Sequence, residues 1–219
     1  MIEPLALALK TAASAHTPVL IQAEPGSGAI AVAELIHARS APAPTGPLVV
    51  VRCGGTPESA LQIELFGPSS NGSPAREGAD GGTATAVGRA IGGTLFIDEI
   101  ALLGLPTQAA LAALSDKRHQ STADAGFRLI ATTSVDLRQR AGWRVFRQDL
   151  LELLGVIGIR LPPLRERPDE LLALAERFIA ARAREMGVPV PVLSPEARDK
   201  LLHHRFPGNA DELRAVIER

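Results

Sequence analysis

The sequence predicts an α/β domain built on a parallel sheet, followed by a small all-helical unit, and two observations carry that reading. Apolar runs of strand length recur with helical segments between them. The strand signals stop after Leu161-Pro162-Pro163-Leu164-Arg165-Glu166-Arg167-Pro168, and only helical patterns follow. The strand candidates are Val19 to Gln22, Leu48 to Val51, Thr94 to Ile97, Phe127 to Thr132 and Val156 to Ile159. Helices are expected near 28–39, 57–65, 106–117 and 146–154, and then near 169–186, 195–203 and 209–218. Ser194-Pro195-Glu196 supplies an N-cap with proline at the first helical position. The α/β core is expected over 1–167 and the helical unit over 168–219. Because the final helix runs into the C-terminus, the chain reads as a piece of something longer.

Composition narrows the function classes. With 219 residues, 46% of them hydrophobic, the chain can bury a real core. Its 23 basic and 24 acidic residues are scattered, which gives no electrostatic case for a nucleic-acid or anionic-membrane surface. Aromatic residues are 3% with no tyrosine, so stacking platforms for single-stranded nucleic acid are not expected. A single cysteine, Cys53, permits no intramolecular disulfide and fits a reducing cytosol. The histidines (His16, His37, His119, His203 and His204) lack zinc-type spacing, and no apolar run approaches the ~18 residues of a membrane span. A cytoplasmic protein without membrane contact is the resulting expectation.

One segment breaks the α/β rhythm. Pro68 to Gly88 consists almost entirely of Gly, Ser, Ala, Pro and Thr, too little apolar surface to offset the entropy of ordering, so a mobile loop is expected there.

The chemistry-bearing candidates sit at two strand ends. After the first strand comes Ala23-Glu24-Pro25-Gly26-Ser27-Gly28-Ala29-Ile30, which has the place and glycine rhythm of a phosphate loop, G-x-x-x-x-G-K-[ST]. Ala23 stands at the first glycine, Gly28 at the second, Ala29 at the lysine and Ile30 at the hydroxyl position. The same residues also suit a plain strand-to-helix turn that uses Gly26 and Gly28 for backbone freedom. After the third strand, Thr94-Leu95-Phe96-Ile97 ends in Asp98 and Glu99, a Mg²⁺ ligand and water-activating base in many ATPases. Asp98 can equally cap the helix that follows.

Several further elements stand with these in a fixed order: Glu64-Leu65-Phe66-Gly67, GGTLFIDEI, Ile130-Ala131-Thr132-Thr133-Ser134, Phe146-Arg147-Gln148-Asp149-Leu150, RLPPLRER and Phe206-Pro207-Gly208-Asn209. In order and spacing, over essentially the whole chain, the sequence resembles the AAA+ domain of NtrC-like sigma-54-dependent transcription activators, the bacterial enhancer-binding proteins. The resemblance implies an AAA+ P-loop-type parallel five-stranded sheet with flanking helices and a C-terminal helical lid. It also implies an ATP site formed by residues 24–30, Mg²⁺ on Asp98, hydrolysis through Glu99, and Arg147 reaching a neighbouring subunit's nucleotide.

Against that pattern the departures form a set. The lysine of the phosphate loop falls at Ala29 and the glutamate after it at Ile30. The loop at 68–88 lacks the GAFTGA element that touches sigma-54, so direct contact with sigma-54 is not expected. The sensor I asparagine corresponds to Ser134, the second inter-subunit arginine to Leu153, and the sensor II arginine to Asp211. A hydrogen bond to a charged group is worth roughly 1.5–3 kcal/mol, so losing the lysine and the sensor II arginine weakens ATP binding by several powers of ten. An arginine finger contributes about 10³–10⁵ in rate.

Three functional readings follow. In the first, the domain is a degenerate AAA+ module with its ATPase activity lost or very low. It acts through contacts with AAA+ relatives or with itself, and Asp98, Glu99 and Arg147 are vestigial. In the second it still binds Mg·ATP or Mg·ADP weakly through the backbone amides of 25–30 and turns over slowly. In the third it is a dimerisation scaffold for a DNA-binding segment beyond Arg219, with no direct nucleic-acid contact of its own. The remaining motifs read more simply. Arg165 and Arg167 suit either an approach to phosphates or, at least as well, solvated or ion-paired roles, His203-His204 a helix end and Trp143 packing.

Overall fold

A computed structural model of the chain describes residues 3–14, 17–40, 43–68, 85–120 and 126–219. It divides into two compact units: 1–22 with 30–160, and 23–29 with 161–219. The chain therefore leaves the first unit after the first strand, contributes residues 23–29 to the second, and returns at Ile30.

The first unit is a five-stranded, all-parallel sheet. Its strands are β1 (Val19–Gln22), β2 (Leu48–Arg52), β3 (Thr94–Asp98), β4 (Arg128–Thr133) and β5 (Ile157–Arg160), in the spatial order β2-β3-β4-β1-β5. Position in the sheet explains the side-chain pattern. β4 is buried along its full length and β3 at every residue but Asp98, as central parallel strands covered on both faces must be, whereas edge strand β2 alternates buried and less buried residues. Val19 pairs with both Ile130 and Ile157, and Val51 with Ile97, so the apolar runs line up across the sheet.

Around the sheet run α1 (Glu3–Ser14), α2 (Ala29–Ala38), α3 (Glu58–Phe66), α4 (Ala86–Arg89), α5 (Leu105–Gln120), α6 (Leu137–Gly142) and α7 (Gln148–Leu154). Leu61 and Leu65 of α3, Leu111 of α5, and Leu150 and Leu154 of α7 join Val51, Leu95, Ile97 and Leu129 in one buried cluster. Each such side chain contributes about 1.5–3 kcal/mol on burial, and α3 and α7, which have no side-chain cap, are held by that stripe. Cys53 lies in the same cluster, where burial and the nearby carboxylates push its thiol up to about 12, leaving it chemically inert.

Two expectations change here. Most of the low-complexity stretch, residues 69–84, lies outside the described residues, but its end is not loop: Thr85 accepts a hydrogen bond from the Gly88 amide and starts α4, with Ala86 and Val87 buried. Trp143 is not a packing residue, being 64% exposed just past the end of α6.

The second unit holds α8 (Pro168–Met186), α9 (Pro195–His203) and α10 (Asn209–Glu218) around Leu164, Leu171, Ala175, Phe206 and Leu213. Local chemistry sets their limits. Pro168 and acidic Asp169 and Glu170 open α8, and Gly187, left-handed at φ 69°, closes it. The Ser194 hydroxyl accepts from the Ala197 amide to open α9. Among the described residues no helix is long and apolar enough to cross a membrane.

Candidate functional site

In the helical unit the site is the loop 23–29 and the lid residues bonded to it. Gly26 and Gly28 have φ of 71° and 92°, in the left-handed region that glycine enters without penalty. They are needed for different reasons. A methyl group on Gly28 would meet nothing within 4 Å, whereas one on Gly26 would stand 2.4 Å from the Gly208 carbonyl oxygen and 3.1 Å from Asp211 Oδ2. Gly26 thus allows the backbone of the Pro-Gly-Asn element to pass directly against the loop, beside the Asp211 carboxylate.

That approach is bonded throughout. The Ala210 amide donates to the Gly26 carbonyl at 3.0 Å, and Asn209 Nδ2 donates to the Pro25 carbonyl at 2.9 Å. Asn209 is fully buried, and its Oδ1 accepts from the Leu164 amide at 2.7 Å. Arg165 forks onto Glu24, Nη1 to Oε2 at 2.8 Å and Nη2 to Oε1 at 2.7 Å. The Arg165 guanidinium, with help from Asn209, holds the Glu24 carboxyl below the usual glutamate range. Arg167 donates from Nη2 to the Ser27 carbonyl at 2.9 Å and pairs through Nη1 with Glu170 at 2.9 Å. Both arginines that bond this segment are therefore matched by carboxylates. Ser27 is buried with its Oγ unpartnered, and Ala29, the first residue of α2, brings no charge.

In the sheet unit the candidate carboxylates lie where β3 ends. Asp98 is the last strand residue, and Thr132 Oγ1 on β4 donates to its Oδ1 at 2.7 Å while accepting from the Glu99 amide at 2.8 Å. Asp98 does not cap the short 3₁₀ turn that follows (Ile100–Leu102). The residue at that position is Glu99, left-handed at φ 60° and ψ 57°, without a side-chain cap. Such a conformation costs of order 1–3 kcal/mol in a non-glycine residue. It is offset here by bonds that hold the side chain: the Ser134 amide and hydroxyl both donate to Glu99 Oε2, at 3.1 and 3.0 Å. The residue standing where a sensor I asparagine is expected thus ties down Glu99 from two donors.

Arg147 precedes α7, its backbone amide fixed by Gln108 Oε1 at 2.8 Å. Its guanidinium lies on the surface against Asp149, Nη2 to Oδ2 at 2.6 Å, and that pairing lowers the Asp149 pKa. Leu153 is half-buried and packs against the sheet unit's core. Of the two roles the sequence offers for Arg165 and Arg167, the structure shows the ion-paired one; Asn209 and Thr132 are contributors whose roles the sequence does not mark. Their partners are up to 185 positions away, and the quoted RLPPLRER and Pro-Gly-Asn elements are the available signal. Among the described residues, no three His, Cys, Asp or Glu side chains come together as a metal site.

Comparison with known proteins identifies the family. The model of the sigma-54 interaction domain matches residues 2–160, and that of the AAA+ ATPase lid domain matches 165–219. The alginate biosynthesis transcriptional regulatory protein AlgB of Pseudomonas aeruginosa is 39% identical over 98% of this chain and 49% of its own length. The C4-dicarboxylate transport transcriptional regulatory protein DctD of Rhizobium meliloti is 35% identical over 100% of this chain and 48% of its own. The solved structure of NtrX from Brucella abortus in complex with ATP superposes with a TM-score of 0.81 at 27% identity, covering 100% of this chain and 50% of that one. The chain spans about half the length of these relatives. With one family model over most of the chain and relatives well above 30% identity across nearly all of it, the chain belongs to the sigma-54 interaction domain family of AAA+ proteins, continued by an AAA+ ATPase lid domain.

Proposed function

We propose that this chain is the AAA+ module of a transcription regulator that works through protein contacts, with its nucleotide chemistry lost. The observation that carries the reading is the electrostatics of the loop. The lysine position is Ala29, the two arginines bonded to residues 23–29 are paired with Glu24 and Glu170, and Asp211 brings a carboxylate to Gly26. A triphosphate there would find backbone amides but, among the described residues bonded to this loop, no uncommitted cation to match its charge, so the residues present do not fit a tightly held Mg·ATP. The partners this leaves are AAA+ relatives or further copies of this chain. Arg147 can serve a neighbour's site, because an exposed ion pair such as that with Asp149 is readily exchanged. Sigma-54 itself is not among the proposed direct contacts, since residues 68–88 carry no GAFTGA element.

A second reading, weak Mg·ATP or Mg·ADP binding with slow turnover, is favoured by one observation: Asp98 and Glu99 are both present and both held in place, by Thr132 and Ser134. Titration with a fluorescent ATP analogue, with and without Mg²⁺, separates the two. The account expects no saturation below about 1 mM, equivalent to about −4 kcal/mol. Magnesium-dependent binding in the micromolar range would establish the second reading instead.

A further inference from the structure

We propose that residues 23–29 are clasped by the lid through protein bonds alone, Glu24–Arg165 and Asn209 forming the hub, so that this loop is ordered without any nucleotide. The inference stands on the helical unit's own geometry and holds whether or not ATP binds.

A phosphate loop is a run of backbone amides around a ligand, and without that ligand its order must come from somewhere else. Here each loop residue from Glu24 to Ser27 has a lid partner. Glu24 takes the Arg165 fork, and Asn209 Nδ2 reaches the same carboxylate at 3.3 Å. The Pro25, Gly26 and Ser27 carbonyls accept in turn from Asn209, Ala210 and Arg167. These are acceptors and a carboxylate, the groups of the loop that a bound phosphate would not itself satisfy. The lid has been shaped to meet them. Phe206 and Asn209 both adopt positive φ, 43° and 51°, which brings the intervening Gly208 carbonyl onto Gly26. Asn209 tolerates that conformation better than most residues, whereas Phe206 has no such preference and is secured by full burial in the lid core. The Gly208 amide is held by Glu212 Oε2 at 2.8 Å, fixing the turn from the other side. In this reading Arg165 and Asn209 are positioning residues. They lock the loop to α10, so that the two move as one body.

Hydrogen exchange read by mass spectrometry on the whole chain, in EDTA and without nucleotide, tests this. Segments 24–28 and 208–212 are expected to exchange at least ~100-fold more slowly than an unstructured peptide. Arg165→Ala should accelerate both segments together by ~10-fold or more, leaving 94–98 and 129–133 unchanged, and the charge swap Glu24→Arg with Arg165→Glu should recover most of the protection. Gly26→Ala, which drives a methyl group against the Gly208 carbonyl, should give the same paired acceleration. Free-peptide exchange of 24–28 in the unmodified protein would overturn the proposal. So would acceleration of only one of the two segments in folded Arg165→Ala or Gly26→Ala protein. If both variants unfold, the unmodified protein's own rates decide.

Discussion

An Ala29→Lys, Asp211→Arg double variant is expected to bind Mg·ATP about 10²–10⁴-fold more tightly than the unmodified chain. Each substitution adds a donor whose bond to a charged phosphate is worth roughly 1.5–3 kcal/mol, and tenfold in affinity corresponds to about 1.4 kcal/mol. The loop is otherwise suited to the gain: Gly26 and Gly28 already hold left-handed conformations, and α2 begins at residue 29, with its amides and dipole favouring an anion. Asp211 is exposed, so a longer side chain is accommodated there, and its removal also takes a like charge away from the phosphates. The single variants are expected to give about one to two powers of ten each. The same fluorescent titration reads all four proteins. An unchanged affinity in the double variant would mean that the loop's backbone, rather than its missing charges, excludes nucleotide.

Asn209→Ala is expected to destabilise the helical unit by about 3–5 kcal/mol, because three costs coincide. The Leu164 amide loses its buried acceptor and the Pro25 carbonyl its donor, and a buried group left unsatisfied costs about 1–3 kcal/mol. Alanine must in addition hold φ 51°, at about 1–2 kcal/mol. Asn209→Gly separates these contributions, since glycine relieves the backbone strain without restoring either bond. It should be less damaging than the alanine by about 1 kcal/mol. Urea unfolding followed by circular dichroism measures both, and a loss below about 1 kcal/mol for Asn209→Ala would show that the buried amide is not the keystone described.

Much of the fold was legible because the central strands leave no choice. Thr94 to Ile97 and Leu129 to Thr132 are continuous apolar or small runs, and only a strand covered on both faces accommodates that. The helix Glu3–Ser14 was not read, since its leucines at 5, 7 and 9 fall at a period closer to a strand's than to a helix's. The helix Leu137–Gly142 is too short to show a period at all, and it rests on the Asp136 carboxylate capping the Arg138 and Gln139 amides. At the site, the positions of Asp98, Glu99 and the loop 23–30 followed from motif order, and the left-handed turn from its glycines. The bonding between positions did not. Nothing local announces that Glu24 meets Arg165 or that Ser134 holds Glu99. Glu99 and Phe206 at positive φ are tertiary impositions that no residue preference signals.

ATP hydrolysis by the purified chain, with Glu99→Gln as the comparison, tests the proposed loss of phosphate chemistry. Phosphate release is expected at the rate of the protein-free control, with no difference between the two proteins. Turnover above that control, abolished by Glu99→Gln, would contradict it.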